Sequence, residues 1–384
     1  MLLEIALLFL RLGATSFGGP AAHIALMQEE VVRRRQWVSS EEFLDLLGAT
    51  QLIPGPNSTE LAIHLGHRRG GAAGLVVAGV CFILPAALVT LVLAWAYVRF
   101  GRLPSAAGAL YGIKPVIIAV VLQAIWALAR TAVQSTRLAI IGAGAAAAAA
   151  LRADELLILL VAGVSAMSLA RPGRGGTPAP QSAEVERSSM FVATGGTAFS
   201  LAAGSLAAPA SLGSIFLAFA KIGSVLFGSG YVLLAFLRSD LVEQRHWLTE
   251  AQLIDAIAAG QLTPGPVFTT ATFVGYLIAG TAGAAAATAG IFVPAFIFVA
   301  LSAPLIPKIR ASRAAGSFLD GVNVASLALM AVVALELGRA AIIDVPTAAL
   351  AAASAVLLLV LRINSAWLVL GGGVAGAGIR AALG

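Results

Sequence analysis

Gln51-Leu52-Ile53-Pro54-Gly55-Pro56 and Gln261-Leu262-Thr263-Pro264-Gly265-Pro266 are two copies of one hexapeptide, and the offset is 261 − 51 = 210. The same offset holds on both sides of the motif. Arg11 and Gly13 fall on Lys221 and Gly223, Phe17 and Gly18 on Phe227 and Gly228, and Arg35 and Trp37 on Arg245 and Trp247. Asp45 falls on Asp255, Ala49 on Ala259 and Thr59 on Thr269; further on the register slips by one, so that Pro85 pairs with Pro294 and Gly112 with Gly321. An offset sustained from Arg11 to Thr59 identifies a duplication. A proline inside a helix removes a backbone hydrogen bond and clashes with the preceding turn. Two prolines around a glycine therefore end the helix.

Both copies lie in apolar surroundings, and composition says what surrounds them. The chain has 384 residues, 59% hydrophobic and 11% charged, with a mean hydropathy of +0.95. Soluble domains carry about 25% charged residues. Apolar runs such as 72–98 and 342–361 reach the ~20 residues that a helix needs to cross a bilayer. Hydropathy places segments at 2–27, 43–65, 72–98, 112–128, 138–151 and 156–170, then at 215–236, 253–279, 282–306, 318–337, 342–361 and 366–383. The expectation is an all-α polytopic membrane protein of two homologous repeats with broken or re-entrant helices and about 10–13 membrane segments.

Residues 1–170 form the N-terminal repeat and 211–384 the C-terminal repeat. The stretch 171–210 between them is a linker: Pro172, Pro178, Pro180, Arg171, Arg174, Glu184, Glu186 and Arg187 crowd its first part. Its weakly apolar stretch 190–208 leaves room for one extra membrane segment. His67-Arg68-Arg69 corresponds to Leu277-Ile278-Ala279. A basic loop in one half that is neutral in the other is expected of halves inverted in the membrane, although the parity depends on 190–208.

In hydrocarbon, irregular backbone survives only where protein or a water-filled cavity surrounds it. Paired interruptions at matching places in two repeats point to the substrate site of a transporter. The segment 43–65 is bracketed by Arg33-Arg34-Arg35 and His67-Arg68-Arg69. With both clusters on the cytoplasmic face, it is a re-entrant hairpin with Gly55 near its tip; the alternative is a kinked full span with one basic loop outside.

After the break, Asn57, Ser58, Thr59 and Glu60 read as a helix start. Its unpaired N–H groups and partial positive charge favour an anion. The second copy, with Gly265 followed by Val267, Phe268, Thr269 and Thr270, is less polar, so the halves contribute unequally. A second duplicated break holds Gly18 and Gly19 in one half and Gly228 and Ser229 in the other, each preceded by a cation, Arg11 or Lys221. An ionisable group within a membrane segment is a functional candidate, with snorkelling as the alternative for Arg11. Lys114 and Glu336 are weaker candidates; a local ion pair or snorkelling explains each, with Arg339 as the neighbour of Glu336. Asp45 and Asp255 read as helix caps, and His23 and His64 as packing residues.

Other classes find no support. The net charge of +6 comes without basic, aromatic-interleaved stretches, so nucleic acid is not a partner. The single Cys81 excludes an intramolecular disulfide and a cysteine metal cage. There is no HExxH, no paired intramembrane aspartates, no Ser–His pair and no P-loop. Neither an enzyme nor a resident cofactor is expected.

The motifs F-G-G-P-A-A-H-I-A at 17–25, R-R-R-Q-W at 33–37, Q-L-I-P-G-P-N-S-T-E at 51–60 and F-I-L-P-A at 82–86 resemble the chromate ion transporter family. F-G-S-G-Y at 227–231 and Q-L-T-P-G-P at 261–266 resemble its C-terminal domain, with Ser229 departing from a glycine. The resemblance implies a long-chain, two-domain member in the bacterial inner membrane, exporting chromate from the cytoplasm with the proton motive force. It implies protons as the coupling ion, halves of opposite orientation, and an anion path through the duplicated breaks. Sulfate or another oxyanion as cargo, an anion channel, and a homodimer are left open.

Overall fold

The structure, a computed structural model, describes residues 1–16, 19–50, 53–101, 104–169, 210–226, 233–302, 313–361, 363 and 365–383. Gly18, Gly228, Ser229, the linker and the segment at 190–208 lie outside the described residues. Every described element is helical. The first half contains α1 (Leu2–Thr15), α2 (Gly19–Gln28, prolonged by a π-helical turn, Glu29–Arg34), α3 (Ser40–Thr50), α4 (Asn57–Phe100), α5 (Pro104–Ala132), α6 (Thr136–Ala150) and α7 (Glu155–Leu169). The second half repeats the order as α8 (Leu212–Val225), α9 (Leu233–Leu237, with the π turn Arg238–Gln244), α10 (Glu250–Leu262), α11 (Thr270–Ser302, after a 3-10 turn at Val267–Thr269), α12 (Arg313–Ala341), α13 (Val345–Leu359) and α14 (Ser365–Leu383).

The first three helices of each half are too short to cross a bilayer. At ~1.5 Å per residue, α1 spans about 21 Å against a hydrocarbon core of ~30 Å. Residues 2–27, expected as one segment, are instead a hairpin. Glu4, at the start of α1, meets Arg35 at 3.3 Å and accepts from the Trp37 indole at 3.3 Å. Arg11 meets Glu30 at 2.6 Å, and the Ser16 carbonyl meets His23 at 3.1 Å. These contacts pair the two arms antiparallel, with the tip after Ser16. The Lys221–Asp240 pair, at 3.3 Å, stands where Arg11–Glu30 stands in the first half, so 215–236 departs from a single segment in the same way.

The second hairpin follows the sequence expectation. Arg68, at the end of the first stretch of α4, pairs with Glu42 at the start of α3. Arg69 reaches Glu4 at 3.5 Å. Both basic clusters therefore lie on one face, and Gly55 lies at the inner tip of a re-entrant hairpin.

Within α4 the chain reverses at Gly70 and Gly71, and residues 72–100 return as a long arm. Gly71 has φ 58° and ψ −150°; its counterpart Gly280 in α11 has φ 60° and ψ −150°. That combination is open only to glycine. The arms on either side approach so closely that the carbonyl of Gly66 fills the place of a side chain on Gly74, and vice versa; Gly275 and Gly283 do the same.

The two long arms, 72–100 and 281–302, pack antiparallel. Leu75 shares a cluster with Val299 and Gly79 faces the Phe296 ring, so the order reverses along the two arms; farther along, Tyr97 meets Phe273 of the first stretch of α11 at 5.3 Å between centroids. Equivalent elements that run antiparallel mean halves related by a two-fold axis across the helix direction. The repeat boundary is not a packing boundary. Helix α5 packs on α13 and α14, whereas α12 packs on α6 and α7. The carbonyl of Gly372 abuts Gly112, and the carbonyl of Ala162 abuts Gly321, the equivalent contact. Glycine at these crossings lets backbones touch, as in helix packing within lipid.

The outer faces identify the solvent. Leu84, Leu88, Val92 and Trp95 form an exposed stripe along the first arm. A continuous apolar surface of that kind needs hydrocarbon around it. Together with four helices long and apolar enough to cross a membrane among the described residues, it makes the chain a multi-pass membrane protein.

Candidate functional site

Each proline–glycine–proline tip crosses to the other half. The Gly55 N–H donates to the Leu226 carbonyl at 2.7 Å, and the Gly265 N–H donates to the Ser16 carbonyl at 2.9 Å. Leu226 is Ser16 plus 210 and Gly265 is Gly55 plus 210, so the two bonds are one interaction repeated by the two-fold axis. Each proline–glycine–proline tip closes on the other half's first break. Gly55 has φ +143° and Gly265 φ +83°, and a Cβ on either would meet neighbours: the Glu60 carboxyl and, at 3.5 Å, the Ala295 methyl for Gly55; the Ala86 methyl at 2.9 Å and the Gly13 carbonyl at 3.0 Å for Gly265.

Side chains around the first tip are polar and buried. Pro56 breaks the chain and its carbonyl accepts from the Thr59 and Glu60 amides at 2.7 and 3.0 Å; the first amides of the half-helix have no earlier turn to bond. Ser58, Thr59, Glu60 and His64 are all buried. His23, 1% exposed, bridges the two hairpins of this half. Its Nε2 faces the Ser16 carbonyl at 3.1 Å and its Nδ1 the Ser58 hydroxyl at 3.1 Å. A carbonyl only accepts, so Nε2 carries the proton and Nδ1 accepts from Ser58. Asn57 Oδ1, Thr59 Oγ1, both Glu60 carboxyl oxygens and His64 Nε2 are buried without a hydrogen-bond partner among the described residues. Gly19 opens α2.

Around the second tip the hydroxyls close on their own backbone. Thr269 donates to the Pro266 carbonyl at 2.9 Å and accepts from Thr90 at 3.3 Å. Thr270 donates to the Val267 carbonyl at 2.8 Å, and Thr263 to Gly260 at 3.0 Å. A small, largely apolar pocket lies here, lined by Leu233, Gln261, Val267 and Thr270. The matching first-half positions are His23, Gln51, Asn57 and Glu60.

The cations singled out from the sequence lie elsewhere. Arg11 and Lys221 are about half exposed and are committed to Glu30 and Asp240. Burial works to raise the Glu30 carboxyl's pKa, but the Arg11 guanidinium, with Arg34 and Arg35 behind it, holds it below the ordinary value. Lys114 instead reaches from α5 into the second half, 3.4 Å from the buried Asp255, which also accepts from the Tyr97 hydroxyl at 2.9 Å. Asp255 is thus not a helix cap. Thr249 caps α10 through a capping box with Gln252, and α3 is capped by Ser39, which accepts from the Glu42 amide at 3.0 Å, so Asp45 is mid-helix too. Glu336 pairs with Arg238 at 2.6 Å and not with its sequence neighbour Arg339. Arg238 also holds Glu243 at 2.7 Å and Glu250 at 2.6 Å, knitting α9, α10 and α12 at one end.

The chromate transporter family model matches residues 3–167 and again residues 213–377, two copies spaced by 213 − 3 = 210. The chain belongs to the chromate transporter family. It is 34% identical over 358 residues to a chromate transport protein of Cupriavidus metallidurans, covering 93% of this chain and 87% of that one. A probable chromate transport protein of Synechococcus elongatus is 31% identical over 341 residues, 88% and 85% of the two chains. A chromate transport protein of Pseudomonas aeruginosa is 31% identical over 340 residues, 88% and 82% of the two chains. No solved structure matches the chain. For a member of this family, the crossed breaks are the place among the described residues where irregular backbone, unpaired buried polar groups and both repeats coincide.

Proposed function

We propose that the protein exports an oxyanion, chromate first among them, from the bacterial cytoplasm across the inner membrane, with protons as coupling ion. The single observation that carries this reading is the first tip. The half-helix start at Asn57 and Ser58, with first amides that have no earlier turn to bond, and the unpaired Thr59 hydroxyl offer donors at a buried crossing, as a tetrahedral anion requires. Thr269 and Thr270 supply the equivalent, less polar wall. Two equivalent but inverted hairpin sets suit alternating access, in which each half in turn seals its own side. The relatives named for chromate transport support chromate as cargo. The chain works as a carrier and not as an enzyme on this reading.

Labelled chromate and sulfate uptake into inside-out proteoliposomes tests it. Saturable chromate uptake that Asn57→Ala and Thr59→Ala each reduce at least tenfold is expected. Absence of saturable chromate uptake, or sulfate displacing chromate at equal concentration, would remove chromate as the specific cargo.

A further inference from the structure

We propose that Glu60 is the carboxyl that takes up a proton when the oxyanion enters the first tip, so that anion and proton occupy the protein together. The inference rests on the transport reading above and deepens it by giving Glu60 a role distinct from contact with the cargo.

Glu60 is 0% exposed, and neither of its carboxyl oxygens has a partner among the described residues. No arginine or lysine pairs with it there, unlike Glu4, Glu29, Glu30, Glu42, Glu243 and Glu250. Its Oε1 fills the hollow left by the missing side chain of Gly55, directly behind the N–H that crosses to Leu226. The acid therefore sits at the joint between the halves and within one turn of the amides that attract an anion.

A dianion at Asn57 and Thr59 and a carboxylate at Glu60 repel in a medium that screens them poorly. Neutralising Glu60 removes that repulsion. The proton binds as an O–H on one carboxyl oxygen and leaves from it when the anion leaves; no bond to the anion forms or breaks. The groups facing Glu60 leave few other places for this proton. His64, one turn along the same half-helix, has an unpaired Nε2. His23 on α2 has both nitrogens engaged, with Ser16 and Ser58. The α11 residues packed on this tip, Ala295, Phe296 and Val299, are apolar, and α1 and α8 contribute the Ser16 and Leu226 carbonyls. At the second tip the same position is Thr270, whose hydroxyl is already spent on Val267. The duplication thus retains one acid.

A dianion leaving with one proton carries one net negative charge, which an inside-negative potential drives outward while the proton itself moves against the inward proton gradient.

The test is chromate binding to the purified full chain in lipid nanodiscs, over the alkaline range where chromate stays a dianion. One co-bound proton means that affinity falls about tenfold per pH unit above the Glu60 titration, with one proton taken up per anion in weak buffer. Glu60→Gln is expected to bind chromate with no pH slope and no proton uptake, and Glu60→Asp to keep the slope with a shifted midpoint. Several results would overturn the proposal: a slope that survives in Glu60→Gln, one lost in His64→Gln but kept in Glu60→Gln, or sodium ions abolishing proton uptake. Should Glu60→Gln not fold, Glu60→Asp with an unshifted midpoint does the same. Wild-type protein that binds no chromate sinks the transport reading itself, whereas wild-type binding without a pH slope sinks only this one.

Discussion

At the first tip the positions lining the break are His23, Asn57 and Glu60; at the second they are Leu233, Val267 and Thr270. The backbones are the same object twice. Glycine with positive φ, an N–H crossing to the other half, and a half-helix beginning after the second proline occur in both. Duplication thus preserved what the main chain needs and released the side chains. The hydroxyls of the second tip close on their own backbone, whereas the first tip keeps unpaired groups, and on the proposed transport reading the first is the chemical side and the second a wall.

Substitutions that fall on the two halves unequally would break or sharpen that contrast. The largest effect is expected at the pair between Lys114 of the first half and Asp255 of the second; the position of Lys114 is Asn323 in the other copy. Lys114→Met leaves a buried carboxylate without its cation and should cost about 3–5 kcal/mol of stability, read as thermal unfolding in detergent. Lys114→Arg, which keeps a cation beside Asp255, should cost less than Lys114→Met. Equal losses in the two variants would remove the role of the charge.

Next in size is Gly265→Ala. A methyl group there meets the Ala86 methyl and the Gly13 carbonyl, on a backbone with φ +83°. Strain of about 1–3 kcal/mol is expected, with loss of flux. Gly55→Ala meets the Glu60 side chain, which has rotatable bonds, so its unfolding temperature should fall less while its flux falls as far.

The threonine pair separates wall from site. Thr269→Ala removes two satisfied hydrogen bonds and should cost about 1 kcal/mol of stability with chromate affinity unchanged. Thr59→Ala removes an unpaired hydroxyl and should leave stability alone while weakening chromate binding about tenfold, roughly 1.4 kcal/mol. The reverse pattern would move the site to the second tip.

The smallest effect belongs to Arg11. Its pair with Glu30 is half exposed, so Arg11→Ala should cost under about 1 kcal/mol and depend on salt. Because the folded state holds the Glu30 carboxyl below its ordinary 4.5, its contribution is complete above that pH and is lost as pH falls through the lower folded value. An acid-unfolding midpoint unchanged in Arg11→Ala would contradict this.

Much of this architecture is legible from residues alone. Proline and glycine act locally, so the breaks announce themselves, and bracketing arginines suffice to fold 43–65 back to the face it came from. The hairpin at 2–27 escapes because its break carries one proline, Pro20, inside an unbroken apolar run. The crossing of Gly55 with Leu226 escapes because main-chain hydrogen bonds leave no residue signature. Glu336 pairs away from Arg339 because the buried guanidinium of Arg238 gathers three acids, a tertiary preference invisible to neighbour counting. His23 is passed over for want of a second copy. A search for repeated residues discards the places where duplicates diverge, and the unpaired buried polar groups of the first tip sit there.

The exchange of helices between halves, α12 on α6 and α7, and α5 on α13 and α14, also has a bearing on biosynthesis. When the ribosome has released α6 and α7, their partner α12 is still untranslated. The first repeat therefore enters the membrane with an open flank and completes its structure only after the second has been inserted. Severing the chain between the repeats would leave two polypeptides that each lack a surface the other carries, and co-expression should reassemble them.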